Sequence, residues 1–193
     1  MAHSALQYVI VPGWQGSPEQ HWQSHWQRVL PNAVRVEQRD WLTPQRADWV
    51  AGLQRAIAAA PGPVILIAHS LGCITTAAWA AQADAINLGK VKGALLVAPA
   101  DVERLGCPPA LQNFAPISRA ALPFASLLLG SSNDSAATPQ RAAQLAMDWG
   151  SEWLILPGVG HINVASGHST WEQGFAWLYR LQARIERQAR RRA

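Results

Sequence analysis

The stretch Val64-Ile65-Leu66-Ile67-Ala68-His69-Ser70-Leu71-Gly72 decides the fold. Five consecutive apolar residues too short for a helix read as a strand covered on both faces, the signature of a parallel sheet. The following Cys73-Ile74-Thr75-Thr76-Ala77-Ala78 is a small-residue helix opening with no linker. A serine between such a strand and such a helix, with small residues two before and two after it, fits a nucleophile elbow, in which a strained turn holds the hydroxyl up at the sheet edge. Here the flanking residues are Ala68 and Gly72, so alanine stands where glycine is usual.

Working outward, further runs rich in Val, Ile and Leu lie at 6–11, 33–37, 94–98, 124–129 and 153–156. Between them, helical spacing covers 18–30, 45–60, 71–85, 139–149 and 171–187. The alternation predicts a three-layer α/β fold of about six mostly parallel strands with helices on both faces and minimal or no cap domain. Ser17-Pro18-Glu19-Gln20 predicts the first helix start, with serine as N-cap and proline at the first helical position. The one long connection, 99–123, is expected to wall the ligand pocket. The expected division is a single domain over 1–182, followed by an Arg-rich helix end or tail over 183–193.

Open parallel sheets bind ligands at the carboxyl ends of their strands. After the first strand comes Pro12-Gly13-Trp14-Gln15-Gly16, which lacks the third glycine and the spacing of a dinucleotide fingerprint. Gly89-Lys90 is followed by Val91, which excludes a phosphate-binding P-loop. After the fifth strand comes Ser131-Ser132-Asn133-Asp134, and after the sixth Gly158-Val159-Gly160-His161. The order Ser, Asp, His is that of a hydrolase triad on such a sheet. Ser70 is then the nucleophile, His161 the general base and acid, and Asp134 the group that orients the imidazole. Asp101, after the fourth strand, is the alternative acid. The backbone N–H groups of Trp14 and Leu71 are the expected oxyanion donors, although Gly13–Gly16 also reads as a plain strand-to-helix turn.

Other candidates carry less. His21 and His25 are four apart but have no third ligand, and Trp22 and Trp26 share their spacing, so a packed amphipathic helix explains the segment better than a metal. His69, its side chain directed away from the site, and His168, near the last helix start, are both read as structural or pocket-rim. Cys73 and Cys107 are too few for a disulfide framework and read as buried reduced thiols. No cofactor or metal is expected. The formal charge of +4 is concentrated at the C-terminus: residues 180–193 hold six arginines against Glu186, leaving the rest at −1. That cluster continues a helix without interleaved aromatics, so no nucleic-acid partner is expected. No stretch approaches the about 18 apolar residues of a membrane span, and no basic residue precedes Arg28, so neither a membrane association nor a signal peptide is expected. The expected setting is cytoplasmic.

Val11-Pro12-Gly13-Trp14 with Gly16-Ser17, the elbow at 69–73, and Val97-Ala98-Pro99-Ala100-Asp101 resemble the small serine-hydrolase family that includes retinoblastoma-binding protein nine and the YdeN-like bacterial proteins. Ser132-Asn133-Asp134, Trp149-Gly150, Gly160-His161-Ile162-Asn163, Ser166-Gly167, Trp171 and Gly174 extend the likeness over about 6–182. The resemblance implies a minimal α/β-hydrolase with the triad Ser70, Asp134 and His161. It implies a reaction type, cleavage of a small ester or amide through an acyl-enzyme, but not a substrate. Its departures are Ala68 and the absence of an L-x-C-x-E motif, whose nearest approach is Leu71-Gly72-Cys73-Ile74-Thr75, so a retinoblastoma-type partner is not carried over. The competing class is a hydrolase-fold protein that acts through partner or ligand binding.

Overall fold

The computed structural model describes residues 5–192. Residues 1–4 and 193, the outer ends of the two segments expected from the sequence, lie outside the described residues. The strands are β1 (Gln7–Val11), β2 (Ala33–Arg35), β3 (Val64–His69), β4 (Val91–Val97), β5 (Ala125–Ser131) and β6 (Glu152–Leu156). The helices are α1 (Trp22–Val29), α2 (Arg46–Ala59), α3 (Leu71–Ala80), α4 (Ala85–Lys90), α5 (Pro139–Trp149) and α6 (Gly174–Arg192). All six strands pair in parallel in the order β2-β1-β3-β4-β5-β6, which is the α/β-hydrolase sheet expected from the sequence.

The continuous apolar runs follow from burial on both faces. Successive side chains of a strand point to opposite sides. Tyr8, Ile10, Ile65, Ile67, Leu95, Val97, Leu127 and Leu129 therefore pack with Trp22 and Trp26 of α1 and Leu178 and Leu181 of α6. Their neighbours Val9, Val11, Leu66, Leu96 and Leu128 pack with Trp49 and Leu53 of α2, Ile74 of α3 and Leu145 and Trp149 of α5. Trp22 and Trp26 are fully buried, so α1 is the packed amphipathic helix that their spacing predicts. Trp171 joins them, its ring centroid 5.0 Å from that of Trp22.

Several boundaries differ from the sequence reading, each for a physical reason. Helix α1 starts at Trp22, capped by His21 Nδ1, which accepts the Gln23 N–H. Ser17 does not cap because its hydroxyl donates to Gln23 Oε1 at 2.6 Å while its carbonyl accepts from Arg35 and from the Ser24 hydroxyl. Helix α3 stops at Ala80, and Asp84 caps the separate α4 by accepting the Asn87 N–H. The long connection does not wall the pocket: Leu111, Phe114 and Ile117 bury themselves in the α2 side of the core, with Phe114 edge-on to Trp49. Beyond residue 182 the chain stays helical, and Arg184 Nη1 still donates to the Ser126 carbonyl at 3.2 Å. Among the described residues no helix is long and apolar enough to cross a membrane. Cys73 and Cys107 are free, buried thiols.

The strand order fixes where a site can form. From β1 the chain crosses to β2 on one side and then to β3 on the other, so the crevice beyond the carboxyl ends of β1 and β3 is a topological switch point. Gly13 and Ser70 meet there.

Candidate active site

Ser70 sits between β3 and α3 with φ 55° and ψ −120°, a strained region for a residue with a side chain, of a kind that costs roughly 1–3 kcal/mol. The turn closes through the Ser70 N–H to the Val97 carbonyl at 3.0 Å and the Cys73 N–H to the Ser70 carbonyl at 3.0 Å. Gly72 is required because a Cβ there would collide with the Val11 and Pro12 carbonyls, where α3 runs against the end of β1. Ala68, two before the serine, is fully buried and continues the sheet register opposite Leu96, so the extra methyl leaves the strand intact.

His161 follows β6 and Asp134 follows β5, and the fold brings both to Ser70. The Ser70 hydroxyl donates to His161 Nε2 at 2.9 Å. His161 Nδ1 lies 2.9 Å from each oxygen of Asp134. A carboxylate only accepts, so Nδ1 carries the proton and Nε2 is the free acceptor facing the serine. The Asp134 side chain is 2% exposed and that of His161 19%, so the pair is shielded while the imidazole reaches the cavity. Asp134 Oδ1 also accepts the Ala136 N–H at 2.8 Å. Asp101, the alternative acid, instead lies 3.2 Å from Arg141 Nε and caps the Glu103 N–H.

The loops bearing these groups are tied together by residues whose roles the sequence reading missed. Asn133 Oδ1 accepts the Gly160 N–H at 2.7 Å and Ser132 Oγ the Gly158 N–H at 2.9 Å, joining the Asp134 loop to the His161 loop. His69 Nε2–H donates to the His161 carbonyl at 2.9 Å, and Trp22 Nε1–H to the Ile162 carbonyl at 2.8 Å. The His69 side chain is thus not directed away from the site: its ring centroid is 4.9 Å from that of His161. Burial, followed by the neighbouring His161 and His21, holds its pKa well below the ordinary histidine value. Asn163 and Ser166 cap each other after His161. The signal available in sequence was the polar Ser132-Asn133 pair beside Asp134; nothing local marked His69 or Trp22.

The loop after β1 turns tightly against Ser70. The Gly16 N–H bonds the Gly13 carbonyl at 3.0 Å, and the Gln15 N–H reaches the Trp41 carbonyl at 3.0 Å. The Trp14 indole donates to the Leu42 carbonyl at 2.9 Å. The backbone N–H groups of Trp14 and Leu71 make no hydrogen bond among the described residues. A cavity of about 360 Å³ opens over Ser70, lined by the 13–16 turn, Pro18, His21, His69, His161 and residues 163–165. Its walls are therefore the loops after β1 and β6. His168 Nδ1 lies 3.1 Å from Ser166 Oγ, and the ring does not line the cavity, so the pocket-rim alternative for it does not hold. Among the described residues no cluster of three metal-ligating side chains occurs.

Comparison with known proteins gives the family and the fold. The family model described as serine hydrolase matches residues 8–180. A YdeN-like hydrolase from Pectobacterium atrosepticum is 32% identical over 93% of this chain and 92% of its own, with a TM-score of 0.81. The ydeN gene product of B. subtilis shares the fold at 18% identity and TM-score 0.75, covering 93% of this chain and 100% of its own. A thermophilic esterase from Thermogutta terrifontis does so at 14% identity and TM-score 0.65, covering 95% and 91%. No curated relative matches the sequence.

Proposed function

This chain belongs to the serine hydrolase family, and we propose that it cleaves a small ester or amide through an acyl-enzyme on Ser70. The observation that carries the reading is the unbroken chain Ser70 Oγ, His161 Nε2, His161 Nδ1, Asp134, with each link at 2.9 Å. His161 takes the Ser70 proton as Oγ bonds to the substrate carbonyl carbon. The carbonyl oxygen becomes an oxyanion facing the free N–H groups of Trp14 and Leu71, the second at the N-terminus of α3, where the helix dipole favours negative charge. Collapse breaks the bond to the leaving group, which departs with the proton from His161. Water then attacks the acyl-enzyme, losing its proton to His161, and as the bond to Ser70 Oγ breaks and the acid leaves, His161 returns that proton to Oγ. Asp134 holds the imidazole in the productive tautomer and stabilises the imidazolium.

The test is labelling with a fluorophosphonate probe, which reacts only with an activated serine, alongside p-nitrophenyl esters of increasing acyl length. The wild type is expected to label and to turn over the shorter esters, and both activities vanish in Ser70→Ala and His161→Ala. A folded wild-type protein that neither labels nor turns over any ester would overturn the reading in favour of a hydrolase-fold binding protein.

A further inference from the structure

Besides His69 and His161, the cavity wall contains a third imidazole that the chemistry above does not use. His21 is 4% exposed and lines the cavity together with Ser70 and His161. Its ring centroid lies 5.0 Å from that of His69, which in turn lies 4.9 Å from that of His161. Its Nδ1 is committed, because it accepts the Gln23 N–H at the start of α1. An imidazole whose Nδ1 accepts is, when neutral, protonated at Nε2. Burial, then the positive charge of Arg35 and the proximity of His161, lowers the His21 pKa to about 4, so the neutral form is the working form near neutrality. Its Nε2 makes no hydrogen bond among the described residues. The outcome is an N–H donor, its ring fixed by a helix cap, on the wall of the cavity over Ser70.

The position of that donor indicates which part of a substrate it meets. The leaving atom must sit beside His161 Nε2 to receive its proton, and the cavity continues from His161 along residues 163–165. The leaving group therefore occupies this cavity. Resting on the hydrolase reading above, we propose that His21 is a specificity residue, whose Nε2–H binds a hydrogen-bond acceptor on the leaving group, so that the preferred substrates are esters of oxygenated alcohols, with an ether, hydroxyl or carbonyl oxygen, over those of plain alkyl alcohols. A donor left unpaired beneath an alkyl leaving group loses its water without a replacement, which discriminates by about tenfold or more.

The pair 2-methoxyethyl butyrate and n-butyl butyrate tests this directly, since the two have the same acyl group and chain length and differ by one ether oxygen. The reading is the ratio of their kcat/KM values, which cancels differences in the fraction of active enzyme between preparations. The wild type is expected to favour the methoxyethyl ester by about tenfold. The ratio falls toward one in His21→Asn, whose side-chain oxygen still caps α1 but whose amide is too short to replace Nε2–H, and also in His21→Phe. A wild-type ratio at or below one, or a preference that persists in both variants, overturns the assignment while leaving the hydrolase reading intact. Labelling by the fluorophosphonate without hydrolysis of either ester also overturns it alone. Failure of both labelling and hydrolysis removes the reading of Proposed function, and this assignment with it.

Discussion

Gly13 approaches Ser70 too closely to leave room for a side chain. A Cβ built on it would lie 2.8 Å from Ser70 Cβ, 3.1 Å from the His69 carbonyl oxygen and 3.4 Å from Ser70 Oγ. Its backbone is not in the left-handed region, so alanine is conformationally permitted and the cost of Gly13→Ala is steric. Ordinary carbon contacts begin near 3.5 Å, so the Gly13-Trp14 segment must retreat by roughly 0.7 Å. The elbow cannot yield instead, because Ser70 is held by the Val97 carbonyl behind it. A retreat of that size takes the Trp14 N–H out of the about 2.7–3.1 Å range of an oxyanion donor. Losing one such donor costs about 10²–10³ in kcat. Overpacking alone destabilises by about 1–3 kcal/mol, which leaves the protein folded if its stability is ordinary. The assay is kcat and KM on a p-nitrophenyl ester together with a urea midpoint. The expected result is a large fall in kcat, little change in KM and a modest fall in midpoint. A folded Gly13→Ala protein with kcat within threefold of wild type would refute the argument that this contact sets the oxyanion loop.

Two further outcomes follow from the same contacts. Asp134→Asn can no longer hold a proton on His161 Nδ1, and kcat should drop by about 10³–10⁴, whereas Asp101→Asn removes only a contact with Arg141 and leaves kcat within a few-fold; kinetics of the two variants in parallel decides between the acids. Stability should fall with acid, because His21 stays neutral in the folded protein down to about pH 4 while the unfolded chain protonates it from about 6.5. The unfolded state binds the extra proton, so this contribution is complete above pH 6.5 and is lost toward pH 4, by about 3 kcal/mol for His21, with His69 adding in the same direction. Urea midpoints at pH 7.5 and 5 check it, and His21→Asn, which carries no titrating ring, should show a shallower decline; an equal decline counts against the assignment.

Ser70, His161 and Asp134 were legible in the sequence because each follows a strand directly, and in a parallel sheet the carboxyl ends share one edge. Burial on both faces leaves continuous apolar runs, and the elbow demands small residues at fixed offsets, so strands, site and chemistry all write local signals. Beyond the Ser132-Asn133 pair, the residues around these three write none. Ser17 looks like a cap until Gln23 and Arg35 claim its oxygens. Residues 99–123 look like a pocket wall until Phe114 finds Trp49. His21 is separated from His161 by most of the chain, and its spacing from His25 suggests at most a helix face. What the sequence determined by itself was the layered α/β sheet and the placing of Ser70, Asp134 and His161 past its strand ends, since periodicity and turn chemistry record burial and backbone strain within a few residues. Only the tertiary structure decided which loops enclose the cavity, which carbonyls hold the His161 loop and that His21 lines the cavity wall, because those depend on contacts between segments distant in the chain, and neither side of such a contact encodes its partner.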